Sequence, residues 1–180
     1  MARGWTLIFW GLVIVFVDYH IGRFNVAPDF IGYALIVFGA HTLGQYTRGF
    51  LAARNVAMPL IPLSLWSYGR PPPLPAGVEI TDAVLLFCMM WCLLGAVITF
   101  CEERYRPVFA DYARIYRRIY AGIAILAFLF EQAARFEPEI AGGYVNLAYT
   151  ASLVLLILIL WLLHQIRDEF SEPLPRPWPQ

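Results

Sequence analysis

Apolar positions in this chain gather into long, nearly unbroken runs rather than onto one face of an alternating pattern. The runs fall at about residues 5–17, 29–46, 56–66, 80–100, 119–134 and 144–163. Most approach the length that a helix needs to cross a bilayer, about 20 residues. The first is short unless residues 18–21 carry it into the headgroup layer. The third is interrupted by Pro59 and Pro62 and preceded by Arg54 and Asn55. It reads either as a short, kinked span or as a segment lying at the interface. Polar or proline-rich pieces separate the runs: a corner at residues 18–29, the extended linker RPPPLP at 70–75, the basic, tyrosine-rich CEERYRPVFADYARIYRRIY, and a turn FEPEIAGG.

Composition points the same way. Hydrophobic residues make up 60% of the chain, charged residues 14%, and mean hydropathy is +0.62. A soluble domain carries about 25% charged residues. The sequence therefore predicts an all-α, polytopic integral membrane bundle of about six transmembrane helices, with five as the alternative. It forms one domain over residues 1–170, followed by a proline-rich tail at 171–180 that is expected to be cytoplasmic. Arg3 ahead of the first apolar run looks like the start of a signal peptide. No small-x-small cleavage site follows, so the run reads as an uncleaved first span.

Arginine placement chooses between five and six spans. All 13 basic residues are arginine. With five spans the two sides hold five and eight of them. With six, Arg3, Arg48, Arg54, Arg104, Arg106, Arg114, Arg117, Arg118, Arg167 and Arg176 share one side, leaving Arg23, Arg70 and Arg135 on the other. The positive-inside rule favours that ten-to-three division, with both termini in the cytoplasm. The outer side then holds Asp18, Asp29, Glu79, Asp82, Glu131, Glu137 and Glu139.

The corner at residues 18–29 collects Asp18, His20, Arg23, Asn25 and Asp29 within a dozen positions. Pro28 before Asp29 predicts a helix start, with the Asp29 carboxylate as its cap. Gly32, Gly39 and Gly44 in the following run would let another helix approach closely. Asp18, Asp29 and Glu131 are expected to converge at the outer end around a shared polar pocket, with Arg135, Arg23 and His20 as neighbours. Alternatively they are a span end, a cap and an i,i+4 partner of Arg135. Tyr112, Tyr116, Arg114, Arg117 and Arg118 form a basic aromatic stretch suited to inner lipid headgroups or a cytosolic partner.

Catalytic patterns are missing from the sequence. His20, His41 and His164 are scattered, and Cys88, Cys92 and Cys101 show no CxxC spacing, so no metal is expected. Glu102 and Glu103 with Arg106 fall one short of the EExxxR of membrane-embedded CAAX-type proteases. GxSxG, HExxH and a glycine-rich phosphate loop are all lacking.

The sequence Asp18, Ile21-Gly22, then Pro28-Asp29-Phe30-Ile31-Gly32-Tyr33 resembles a motif of small, uncharacterised multi-span membrane proteins of Gram-positive bacteria. Those proteins open with a similar span and an "IG…PDFIGY" hairpin. The likeness covers the first 45 residues or so; it implies a fold in the bacterial cytoplasmic membrane and no mechanism.

Three function classes follow, in this order. The first is an accessory or scaffold protein acting through helix–helix contacts. The second is a small-solute or ion transporter with an acidic outer vestibule. The third is a membrane enzyme on a lipid-linked substrate. Expected partners are the lipid bilayer and a membrane protein or a second copy of the chain. No nucleic acid and no cofactor are expected.

Overall fold

The computed structural model describes residues 1–21, 28–68, 76–134 and 138–170, without the side chains of 17–21, 68, 76, 131, 134, 138–142 and 145. The corner at 22–27, the linker at 70–75, Arg135 and the tail at 171–180 lie outside the described residues. What is described is all-helical: α1 (Ala2–Ile21), α2 (Asp29–Leu43), α3 (Gly49–Ala57), α4 (Leu60–Tyr68), α5 (Ala76–Glu103), α6 (Pro107–Ala134) and α7 (Pro138–Glu169). No strand occurs among these residues.

The helices make an up-and-down bundle, with α3 and α4 sharing one pass. Pro59 and Pro62 have no N–H to donate, and the helical ladder fails at Met58 and Pro59. Each pass packs on the next in the chain, and α7 returns to pack on α1, closing a ring. Along α1 and α2 the backbones touch. A Cβ added at Gly11 would lie 2.7 Å from the Gly32 carbonyl oxygen, and one at Gly39 would lie 2.8 Å from that of Gly4. Glycine is required there because nothing larger leaves room for the neighbouring backbone. At the break, α3 stays close to α5, where Gly49 meets Ala96. By contrast α4 packs on α2 and touches α5 only sparsely.

Several helices run further than the apolar pattern predicts. The basic stretch before residue 119 is the first half of α6, which begins at Pro107. Proline is favoured at a first helical position, and no glycine interrupts the helix before Gly122. Likewise α7 starts at Pro138, inside the segment expected to turn. Its apolar part continues to Glu169 because the polar end residues keep helical spacing. Two helical segments, Gly77–Glu103 and Asn146–Glu169, are long and apolar enough to cross a membrane. Shorter apolar helices cover Ala2–Phe16 and Asp29–Leu43.

One end of the ring is filled. Trp5, Phe50, Phe100 and Phe170 arrive from α1, α3, α5 and the end of α7, with ring centroids 5.0–6.1 Å apart and edges against faces. The first three are fully buried. The Arg104 guanidinium lies 4.6 Å from the Phe100 centroid and 5.6 Å from those of Tyr46 and Phe170. Thr47 donates to Glu103 at 2.6 Å, Arg114 binds Glu102 and Asp111, and Arg106 pairs with Glu169. Every described arginine side chain belongs to this half of the bundle.

Candidate functional site

At the opposite end the side chains leave a cavity of about 580 Å³. This is within the range of small-molecule pockets, roughly 300–1,000 Å³. Each helix contributes one stripe at helical spacing. From α5 come Glu79, Asp82, Leu86 and Met90; from α6, Tyr120, Ala124 and Phe128; from α7, Tyr149, Ser152, Leu156 and Ile159. The rest comes from Val15 and Phe16 of α1, Asp29 and Tyr33 of α2, and Leu63 and Ser67 of α4. The floor is apolar: Met90 and Ile159 are buried and lead into the packed half. The cavity exists because α4 stays on α2 while α5 carries on past it.

Carboxylates mark the upper part. Asp29, Glu79 and Asp82 line the cavity, all half-buried. Glu79 and Asp82 are three residues apart on α5, so they share a face. No described arginine or histidine side chain lines it. The serines are turned on their own helices: Ser67 donates to the Ser64 carbonyl at 3.0 Å and Ser152 to that of Ala148 at 2.9 Å. Their oxygens are left to accept.

The residues singled out in the sequence fall in different places. Asp29 lines the cavity, but it is the first residue of α2 rather than its cap; Pro28 holds the cap position in an extended conformation (φ −62°, ψ 130°). Asp18 and His20 sit in the last turn of α1 and Glu131 near the end of α6, with their side chains outside the described residues. Arg23 and Arg135 lie wholly outside them. In the basic stretch, Arg114 is engaged by Glu102 and Asp111, and Arg117 stacks 3.7 Å over the Trp91 ring. Tyr116 is 9% exposed and stacks on the exposed Tyr112, while Arg118 is exposed.

His41 is exposed and its Nδ1 lies 3.2 Å from the Arg54 guanidinium; His164 approaches Asp168 at 3.4 Å. The three cysteines are free thiols. Among the described residues no group of His, Cys, Asp and Glu side chains could hold a metal ion.

Sequence reasoning placed Glu79 and Asp82 on the acidic side but not in a site. The signal was present: Asp82 interrupts an apolar helix, and Glu79 precedes it on the same face. Tyr33, Tyr120 and Tyr149 had none, since a tyrosine within an apolar helix reads equally well as core. No family model, curated protein or solved structure matches this chain.

Proposed function

We propose that this is a multi-pass integral membrane protein of the bacterial cytoplasmic membrane. In this reading it crosses six times, both termini are cytoplasmic, and it binds a small molecule in a cavity open to the outer side. Its membrane location is supported by the outer surface. Trp10, Phe38, Leu65, Ile157 and Trp161 are 52–63% exposed and, with many other apolar side chains, spread over α1, α2, α4 and α7. Water-facing surfaces rarely expose so many large apolar side chains. The gathering of described arginines at one end supports a cytoplasmic position for that end. The resemblance of the first 45 residues or so to small multi-span proteins supports the same placement.

The observation that carries the binding role is the contrast within one ring: a packed arginine end and a hollow end lined by carboxylates. A protein serving only as a scaffold has no need of such a cavity. The accessory reading draws on the exposed apolar faces, which lipid covers equally well. A solute-binding or transporting role therefore takes first place. The experiment uses single cysteines in a chain lacking Cys88, Cys92 and Cys101, probed in intact cells with an impermeant thiol reagent. Gly77→Cys and Ser152→Cys should label from outside, and Gln45→Cys only after permeabilisation. Equal labelling of Gly77→Cys and Gln45→Cys would restore five spans. A silent Ser152→Cys beside a reactive Gly77→Cys would remove the outward cavity.

A further inference from the structure

The cavity is not walled on every side. Val84 of α5 and Ile125, Phe128 and Leu129 of α6 line it, yet they are 51%, 56%, 37% and 55% exposed. A side chain does both only at a rim, so the cavity opens sideways between the outer halves of α5 and α6. Nearer the packed end the same two helices are joined, by Phe87 stacked on Tyr120 at 5.9 Å and by Arg117 over Trp91. The α1–α2 wall opposite is closed by backbone contact at its glycines. The side opening is therefore bounded below, and its rim is entirely apolar.

We propose that the cavity takes a membrane-borne amphiphile with a positively charged head group. Its chain passes between α5 and α6, and its head lies at Asp82. This rests on the reading above, that the chain is a membrane protein with an outward binding cavity. The charge argument comes from the lining. Asp82 makes no hydrogen bond or ion pair among the described residues, and it stands with Glu79 and Asp29 in a cavity that no described basic side chain lines. Ser67 and Ser152 present acceptors only. A donor-rich cation suits Asp82, and the aromatic side chains of Phe16, Tyr33 and Phe128 line the same cavity.

The route argument comes from the rim. A solute arriving from water gains nothing from an apolar gap between helices, whereas an alkyl chain already in the bilayer slides through it without crossing water. Below Asp82 the α5 side of the gap is apolar, with Val84 and Phe87 in the cavity lining, so the chain meets no polar group on that side as it leaves the head. An anionic lipid would meet carboxylates where its head belongs.

The test uses the full chain in nanodiscs of neutral phosphatidylcholine and a diazirine-bearing decyltrimethylammonium probe. Saturable crosslinks are expected on residues 83–87 and 124–129. Unlabelled decyltrimethylammonium should displace them, whereas decyl sulfate and tetramethylammonium should not. Asp82→Asn should weaken displacement about tenfold, the loss of one charge contact worth about 1.4 kcal/mol. Its fold is checked by unchanged thiol labelling in the Ser152→Cys background. Displacement by decyl sulfate equal to that by the cation overturns the charge assignment. Equal displacement by tetramethylammonium overturns the lateral route, leaving a small-cation cavity. If no crosslink saturates while Ser152→Cys still labels from outside, the amphiphile is excluded and the binding cavity stands. If Ser152→Cys is silent as well, both readings fall together.

Discussion

The two ends of this bundle are built from the same described helices and differ in what they do with the space inside. At the arginine end, Trp5, Phe50 and Phe100 point inward and meet edge to face. At the acidic end Ser67, Ala124, Ser152 and carboxylates stand among larger aromatic and aliphatic side chains, and α4 makes little contact with α5. Helix number and order therefore do not decide whether a helical ring is solid. The proline-broken segment contributes to the difference: α3 packs closely on α5, whereas α4 touches it only sparsely. The solid end anchors the geometry, which lets the other end stay open without collapsing.

The largest expected effect separates the ends directly. Phe100→Ala should cost about 3–5 kcal/mol, because a fully buried ring between two others leaves a void. Leu86→Ala, whose side chain already borders open volume, should cost about 1 kcal/mol, below the usual range for a packed leucine. Chemical unfolding in detergent compares them, and equal losses would mean that the acidic end is packed after all. Next comes the wall common to both ends. Gly32→Leu should cost about 1–3 kcal/mol by forcing α1 off α2. Gly122→Leu, where an added Cβ meets nothing within 4 Å, is the control and should be close to neutral in the same assay.

The smallest effect concerns the turn that ties α5 to α6 at the solid end. Tyr105 sits at φ 57°, the Arg106 N–H reaches the Cys101 carbonyl at 2.9 Å, and the Tyr105 N–H reaches that of Glu102 at 3.1 Å. This is the helix-ending arrangement that glycine usually completes. Tyr105 is 92% exposed, so its side chain contributes little there. Tyr105→Gly should therefore raise stability by up to about 1 kcal/mol, seen as a higher melting temperature. A loss instead would show that the tyrosine ring anchors that end of the bundle.

The helices were legible because apolar residues cluster over helical lengths, and Pro28 marked the start of α2 correctly. Their limits were less so. A helix does not stop where hydrophobicity stops: α6 runs straight through Asp111, Arg114 and Arg118, whose charges reach solvent or one another. The segment at 56–66 stayed ambiguous because Pro59 and Pro62 permit either a kink or an interfacial turn; in the bundle α3 packs on α5 and α4 on α2. Asp29 was legible as a residue out of place. That Asp82 lines the same cavity was not, because which acids share a space depends on how the helices are arranged around a ring.

The ring closes where α7 meets α1, with Phe9 and His164 6.4 Å apart across the seam. That seam has a consequence for biosynthesis. The ribosome makes α7 after the other described helices. Until it docks, the growing chain is an open palisade: Tyr149 and Ser152 are missing from the cavity wall, Phe170 from the aromatic cluster, and Glu169 from Arg106. Asp82 then faces an unfinished side instead of an enclosed one. Among the described helices, α7 is thus the one whose docking turns a row of helices into a container.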